Sequence, residues 1–148
     1  MSGLPTMNDE VHIADSAEQI MSCFDAISVL RPHVHREGFA DLILSMAPQG
    51  FRLAYIKRDG VVQAVVGFRI IDMLRTGRML EIDDLVCLPT ARSHGFGKRL
   101  VDWCVEVATQ NHCTVVELDS AVHRVDAHRF YFRERMHVLA FHFSKNVA

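Results

Sequence analysis

The sequence has few of the features that mark secreted, membrane-spanning or nucleic-acid-binding proteins. Its four cysteines are scattered and contain no Cys-x-x-Cys pair, which indicates reduced thiols rather than a disulfide framework. No apolar run approaches the roughly 20 residues that span a bilayer. The first residues lack a basic segment followed by an apolar one, so we expect no signal peptide. These absences predict a cytoplasmic protein that acts on neither membranes nor nucleic acids.

An excess of charge of one sign is also missing. The net charge is −2 at pH 7 over 148 residues, which gives no general attraction to polyanions, so any basic site must be local. With 49% hydrophobic and 23% charged residues, the composition is that of an ordinary globular protein. Because no repeat or linker divides the chain, we predict a single domain over residues 1–148, with residues 1–9 as a loose N-terminus.

In the first half of the chain, the spacing of apolar residues changes from that of helices to that of strands. Residues 11–14 predict a short strand, and residues 16–30 predict a helix that begins with a capping box of Ser16 and Gln19. A second helix is predicted over residues 36–46. The stretches FRLAYIKR, VVQAVVGFRII and MLEIDDLVCL then alternate as three antiparallel strands, the first two joined by a tight Asp59-Gly60 turn.

The second half returns to alternating helices and strands. Apolar spacing predicts a helix from about Gly95, a short buried strand over residues 113–118 and a helix over residues 126–135. A final strand is predicted over residues 138–143. This order of elements indicates a mixed α/β or α+β domain.

The stretch ARSHGFGKRL, residues 91–100, concentrates positive charge and glycine between a strand and a helix. The first turn of a helix has unpaired backbone N–H groups and the positive end of the helix dipole. Gly95 and Gly97 have no Cβ, so a ligand can approach the backbone closely. The stretch therefore predicts a site for phosphate or diphosphate, and a plain strand-to-helix turn is the alternative.

Two phosphate-binding motifs do not fit this stretch. A P-loop has four residues between its glycines and Ser or Thr after its Lys, whereas here one residue separates the glycines and Arg99 follows Lys98. The dinucleotide motif Gly-x-Gly-x-x-Gly fails because Leu100 replaces its third glycine. The pattern (Arg or Gln)-x-x-Gly-x-(Gly or Ala) is matched in full from Arg92 to Gly97.

With this motif, and with DAHRFYFRERM resembling an Ala-x-x-Phe-Tyr segment, the chain resembles the GNAT superfamily of acetyl-CoA-dependent N-acetyltransferases. The order of predicted elements is that of the superfamily. The resemblance implies the GNAT fold, a mixed and mostly antiparallel sheet flanked by helices and splayed between its fourth and fifth strands. It also implies transfer of acetyl from acetyl-CoA to a primary amine of a small molecule or peptide. An acyl-CoA-binding or sensory domain without turnover is the alternative.

The resemblance further implies which residues hold acetyl-CoA, the cosubstrate. The end of the fourth strand would pair with the pantetheine arm, and the loop after it would cradle the diphosphate through its backbone amides. The residues concerned are Val86, Cys87, Leu88, Arg92, Ser93, His94, Gly95, Phe96, Gly97 and Lys98. We expect no metal, because the nine histidines show no HExxH or Cys/His zinc spacing.

Direct attack of a neutral amine on the thioester requires a proton acceptor and an acid for the leaving thiolate. The resemblance makes Tyr131 the candidate acid, with core packing as the alternative. Glu81 is the candidate base, with a solvated strand end or binding of the substrate cation as the alternative. Asp83 shares its face in a regular strand, whereas Asp84 points the other way unless a bulge intervenes. His123 is a further candidate for proton transfer.

The second motif departs from the superfamily at two positions. Arg124 replaces an Asn, which puts one CoA contact in question, and Arg135 replaces a Gly, which indicates a different turn. We interpret Arg124, Arg129 and Arg133 as a solvated helix face, with contact to the nucleotide end of CoA as the alternative. The C-terminal third resembles that of small-amine members, including aminoalkylphosphonate acetyltransferases. A homodimer is expected from family habit, and the sequence does not specify the acceptor.

Overall fold

The computed structural model describes residues 9–148. They form two compact units, one ending at Glu117 and one from Leu118 to Ala148. Of the predicted loose N-terminus, residues 1–8 lie outside the described residues, and Asp9 is buried. That one domain covers the whole chain stays a prediction. The elements in chain order are β1 (His12–Ile13), α1 (Ala17–Ser22), α2 (Phe24–Leu30), α3 (Phe39–Met46), β2 (Arg52–Arg58), β3 (Val61–Met73), β4 (Gly77–Cys87), α4 (Phe96–Gln110), β5 (Val115–Leu118) and α5 (Val125–Arg133).

The five strands form one sheet in the order β1-β2-β3-β4-β5. Strands β1 to β4 pair antiparallel, and β5 runs parallel to β4 after the α4 crossover. The β5 end of the sheet is short, since Thr114 N–H donates to Arg78 O at 2.8 Å and β5 has only 4 residues beside the 11 of β4. The second half of β4 therefore extends beyond β5. The predicted mixed, mostly antiparallel and splayed GNAT sheet is confirmed.

The first predicted helix begins as expected but is interrupted. Ser16 Oγ accepts from Gln19 N–H at 3.1 Å and Gln19 Oε1 accepts from Ser16 N–H at 3.0 Å, which completes the capping box. At Cys23 the helix breaks into α1 and α2. There Ser22 Oγ donates to Gln19 O at 2.5 Å, and Cys23 N–H bonds to Ile20 O, three residues back. Such local bonds compete with the regular helical ladder, which periodicity alone does not reveal.

Helices cover both faces of the sheet. On one face the residues of α1 to α3 pack on alternating residues of β2 and β3, with Phe24 and Phe39 in edge contact at 5.2 Å. On the other face α4 packs on the central strands, and Trp103 meets the ring of Phe68 at 5.3 Å. Burying both faces explains why Val65, Val66 and other residues of β3 read as a continuous apolar run.

The prediction of a final strand over residues 138–143 is wrong. Residues 134–148 form neither helix nor strand, and Phe141 and Phe143 are 83% and 91% exposed. The alternation of apolar residues is present, but a strand also needs a neighbour to pair with. Arg135, after α5, has a φ of 63°, so it adopts the left-handed conformation that glycine favours at a helix end rather than a different turn.

An ion pair ties β5 to the β3–β4 turn. Arg75 donates to both carboxylate oxygens of Glu117, at 2.9 and 2.5 Å. The hydrogen bond from Arg75 is the main cause that holds the pKa of the Glu117 carboxyl below its ordinary value. A lowered carboxyl pKa stabilises the fold above the carboxyl pKa of the unfolded chain, and this stabilisation is lost as pH falls through the folded pKa.

We therefore expect Glu117→Gln to lower the melting temperature at pH 7, and to have progressively less effect as pH falls below about 4. Thermal unfolding followed by circular dichroism across pH 3–7 measures this. Asp72→Asn is the control, because the Asp72–Arg78 pair belongs to the same hairpin but has a carboxylate side chain that is 73% exposed. An equal loss in both variants at pH 7 would contradict the assignment.

Candidate functional site

The first part of the candidate site is the end of β4 and the loop that follows it, which contains Arg92 and Lys98. Leu88 N–H donates to Gln63 O at 2.8 Å, so the chain stays next to β3 one residue beyond β4. The side chain of Val86 is buried in the cluster under α1 to α3, whereas the thiol of Cys87 accepts from the amide of Gly97. The two side chains thus leave the strand on opposite sides, as predicted for consecutive strand residues.

The loop is folded tightly by residues in the left-handed conformation. Ser93 and Gly95 have φ values of 66° and 80°, and Gly95 is the residue before the first turn of α4. Gly95 takes this conformation without strain, whereas it costs energy at Ser93. The sequence identified the glycine but gave no sign that Ser93 would be left-handed.

The first turn of α4 has the properties of an anion site. It contains no acidic residue, and the residue before it, Gly95, has no side chain that could cap its N–H groups. One of these groups, the Gly97 N–H, bonds to the Cys87 thiol. The helix is 15 residues long, so its dipole is fully developed at this end. The side chains of Arg92, Ser93 and Lys98 are exposed beside it. Lys98 also pairs with Asp102 at 3.2 Å, which reduces the charge it contributes to the loop.

Cys87 is a protonated thiol at this position. Burial raises its pKa above the ordinary value, and this outweighs the opposing effects of Arg92 and of the Gly97 amide. A thiol with a raised pKa is a weak nucleophile, so Cys87 fits a lining residue rather than a catalytic one. The effect of Arg92 on this pKa also shows that its guanidinium acts on the end of β4.

The acidic stretch of β4 contains a bulge. Arg69 of β3 lies opposite Glu81 and Phe68 opposite Ile82, but Gly67 lies opposite Asp84, so Asp83 is the extra residue. The bulge brings Asp84 to the face of Glu81, which a regular strand would not do. The sequence analysis expected Asp84 to point away from Glu81 unless a bulge intervened, and the bulge is present.

Arginines bind both aspartates. Arg69 donates to Asp83 Oδ2 from Nε at 2.8 Å and from Nη2 at 2.6 Å. Arg31, which ends α2, donates from Nε to Asp84 Oδ1 at 2.8 Å and from Nη2 to the carbonyl of Asp83 at 3.0 Å. The sequence analysis missed both arginines, because they meet β4 only through the tertiary fold. Gly67, a glycine within a strand, was the one signal of the bulge.

Tyr131 lies in the second unit, on α5, where it receives a hydrogen bond from Arg124. Burial is the main cause that raises the pKa of the Tyr131 phenol, and the charge and hydrogen bond of Arg124 act against it. Arg124 is therefore a partner of Tyr131, which corrects its interpretation as part of a solvated face. Arg129 and Arg133 are exposed on that face, and Arg129 pairs with Asp126. His123 is exposed before the helix.

The described residues show no sign of a metal site or of a membrane span. Between residues 9 and 148 no three His, Cys, Asp or Glu side chains lie together in a way that could hold a metal ion. Over the same residues, no helix has both the length and the apolar character needed to cross a membrane.

The comparisons with known proteins agree on one family. The model of the acetyltransferase (GNAT) family matches residues 17–137. An aminoalkylphosphonate N-acetyltransferase of Salmonella typhimurium is 35% identical over 111 residues, which are 74% of this chain and 70% of that protein. The fold is similar to that of a Trypanosoma brucei acetyltransferase, with a TM-score of 0.77, 19% identity and coverage of 93% and 99% of the two chains. It is also similar to an aminoglycoside N-acetyltransferase solved with CoA, with a TM-score of 0.75, 13% identity and coverage of 95% and 97%.

The bulge leads to a prediction about Gly67. A Cβ at this position would lie 2.7 Å from Asp84 Oδ2 and 2.7 Å from the ring of Phe51. Because both neighbours pack against the strand, we expect Gly67→Ala to lower the free energy of unfolding by about 1–3 kcal/mol and to displace the Asp84 carboxylate. Urea unfolding measures the first effect. Unchanged stability would show that Phe51 and Asp84 move aside freely.

Proposed function

The chain belongs to the GNAT acetyltransferase family, and on this premise we propose that it transfers acetyl from acetyl-CoA to a primary amine by direct attack. The observation that carries the proposal is the strand-to-helix loop from Arg92 to Gly97. It combines a full family motif with a long helix whose first turn is free of acidic residues. A diphosphate is the anion that such a turn, with Arg92 beside it, fits best.

The residues that would hold acetyl-CoA divide by the part they contact. The amides from Ser93 to Lys98 would bind the diphosphate oxygens, with Arg92 adding charge. The backbone between Val86 and Leu88 would pair with the amides of the pantetheine arm, where β4 extends beyond β5. It would do so through groups that do not already bond to β3, since the Leu88 N–H donates to Gln63 O. The Gly97 N–H bonds to the Cys87 thiol, so the other amides of the loop would make the contacts with the diphosphate.

The proposed base is Glu81. Both aspartates of the same stretch are held by arginines, Asp83 by Arg69 and Asp84 by Arg31. Glu81 is proposed because it lies on β4, 11 residues before Arg92, where the family resemblance places a catalytic glutamate. The backbone N–H groups of β4 would donate to the oxyanion that develops on the thioester carbonyl.

The proposed acid is Tyr131. A phenol whose pKa lies above its ordinary value is fully protonated at neutral pH, so it has a proton to give to the leaving thiolate. The hydrogen bond from Arg124 would stabilise the phenolate that forms when the proton is transferred.

We further propose that the acceptor is a small amine that carries an anionic group. The relative from Salmonella typhimurium is named for aminoalkylphosphonates, and the two arginines beside β4 offer a structural reason for such a substrate. Arg31 uses two of its guanidinium N–H groups on Asp83 and Asp84, and 43% of its side chain is exposed. A guanidinium has five such donors, so further donors exist for an anion. A peptide amine is the other acceptor class.

An amine panel tests the acceptor. We expect aminoalkylphosphonates to have a higher kcat/KM than amines of the same length without the phosphonate, and Arg31→Gln to reduce this preference about tenfold or more. CoA release followed with a thiol reagent is the measurement. A preference for peptide amines, or a phosphonate preference that survives in Arg31→Gln, would contradict the assignment.

Comparing acetyl-CoA binding with acetyl transfer distinguishes an enzyme from a sensory domain without turnover. Calorimetry measures acetyl-CoA binding, and thiol release across the panel measures transfer. Binding with release for any amine supports the enzyme. Binding without release across aminoalkylphosphonates, other small amines and peptides supports the sensor.

Changes at the loop should act on binding. Gly95→Glu places bulk and negative charge where the diphosphate would lie, so we expect CoA binding to become undetectable by calorimetry. Gly38→Glu is a matched control, because Gly38 also precedes a helix in the left-handed conformation, with a φ of 76° against 80°. Undiminished affinity in Gly95→Glu would overturn the assignment of the loop.

Changes at Tyr131 should act on turnover. We expect Tyr131→Phe to lower kcat by about 100-fold or more while the affinity for CoA stays within about twofold. Arg124→Gln should move the alkaline limit of kcat to higher pH, because the guanidinium that lowers the phenol pKa is gone. A pH profile of kcat measures this. A shift to lower pH, or full activity in Tyr131→Phe, would remove Tyr131 as the acid.

A homodimer and a cytoplasmic location stay predictions. The exposed apolar side chains of the C-terminal segment, Val138, Leu139, Phe141 and Phe143 among them, are compatible with association. Sedimentation velocity at several protein concentrations measures the oligomeric state.

A further inference from the structure

A buried carboxylate lies beside the proposed diphosphate loop. Asp9 is the one charged residue buried among residues 9–148, and its side chain is fully enclosed. Arg58, at the end of β2, donates to it twice, from Nε to Oδ1 at 3.0 Å and from Nη2 to Oδ2 at 2.5 Å. A buried carboxylate is stable only when its charge and its lone pairs are satisfied, so this bidentate pair is the reason that Asp9 can be inside.

The same guanidinium stacks on the loop. The Cζ of Arg58 lies 4.8 Å from the centre of the Phe96 ring. Phe96 is buried, is the first residue of α4 and stands between Gly95 and Gly97 in the family motif. The two bonds to Asp9 hold the guanidinium in place, and its Cζ lies over the Phe96 ring. Asp9, Arg58 and Phe96 therefore form a continuous series of contacts from the N-terminal segment to the first turn of α4.

We propose that Asp9 and Arg58 are positioning residues for the CoA-binding loop, holding Phe96 and the first turn of α4 in the conformation that binds the diphosphate. The inference rests on the proposed binding of acetyl-CoA. Neither residue needs to touch the cosubstrate, since both act through the Phe96 ring. The N-terminal segment, which contains none of the motif residues, would then determine how well the motif binds.

If Asp9 acted only through its charge, removing that charge would change the affinity for CoA in the opposite direction. Asp9 is a negative charge near a site for anions, so its neutralisation would strengthen CoA binding if only charge mattered. If Asp9 acts by holding Arg58 against Phe96, its neutralisation releases the guanidinium and the ring and weakens binding. The direction of the change in affinity therefore distinguishes the two roles.

The chain contains a control of similar chemistry at an exposed position, where the side chains of Arg36 and Asp25 are 62% and 73% exposed. Arg36 stacks on Phe24 at 4.6 Å and pairs with Asp25 at 2.5 Å, the same three groups at a place that the motif does not include. Asp25→Asn removes the carboxylate from this second set. We expect it to leave the affinity for CoA within about twofold of the wild type.

The experiment measures the dissociation constant of CoA by calorimetry, at a temperature where each variant is folded by circular dichroism. We expect Asp9→Asn to raise it about threefold to tenfold, and Phe96→Leu to do the same. Both changes break the same series of contacts. The dissociation constant of the double variant should therefore rise by less than the product of the two single increases. The KM for acetyl-CoA should rise with kcat unchanged, which a general loss of stability would not produce.

Arg58→Lys is the second variant, for the case that Asp9→Asn does not fold. Lysine keeps the charge beside Asp9 but has no planar group to stack on the ring, so it should also weaken CoA binding. A wild-type chain that does not bind CoA overturns the proposed function and this inference together. A wild-type chain that binds CoA, with Asp9→Asn or Arg58→Lys binding equally or more tightly, overturns this inference alone.

Discussion

The site depends on the unequal pairing of β4. On one side β4 pairs with β3 along its length, so its backbone is held rigidly as far as Leu88. On the other side it has the four residues of β5, placed beside its start. Backbone hydrogen bonding is directional, so a strand that extends beyond its neighbour presents N–H and C=O groups in the sheet plane. An extended amide-containing arm is the natural partner for such an edge.

The loop after β4 also offers unpaired backbone groups to a ligand, but in a different arrangement. Where the strand offers an edge for an extended chain, the first turn of α4 offers a group of N–H donors for an anion. The two lie in direct succession along the chain, from Val86 to Lys98. A ligand with an amide-containing arm and a diphosphate matches that succession, and acetyl-CoA has both.

Charge is balanced locally on each side of the sheet. On the α2 side, Arg31 and Arg69 bind the two aspartates of the bulge. On the α4 side, Arg58 is held between Asp9 and Phe96. In a protein with a net charge of −2, these three arginines are thus each held by a carboxylate.

The sequence alone determined most of the elements, the motif and the family. Periodicity and capping residues act over a few positions, so the capping box at Ser16, the Asp59-Gly60 turn and the glycine loop were all readable from local spacing. Three features were decided by tertiary structure, since they depend on residues far apart in the chain. The bulge at Asp83 needs the register between β3 and β4, and the pairs of Arg31 and Arg58 join residues about 50 positions apart. The 138–143 segment forms no strand with any part of the chain that the structure describes. The local sequence pattern gives a segment a preference for helix or strand. Whether the segment adopts that structure depends on the neighbours that the folded chain places beside it.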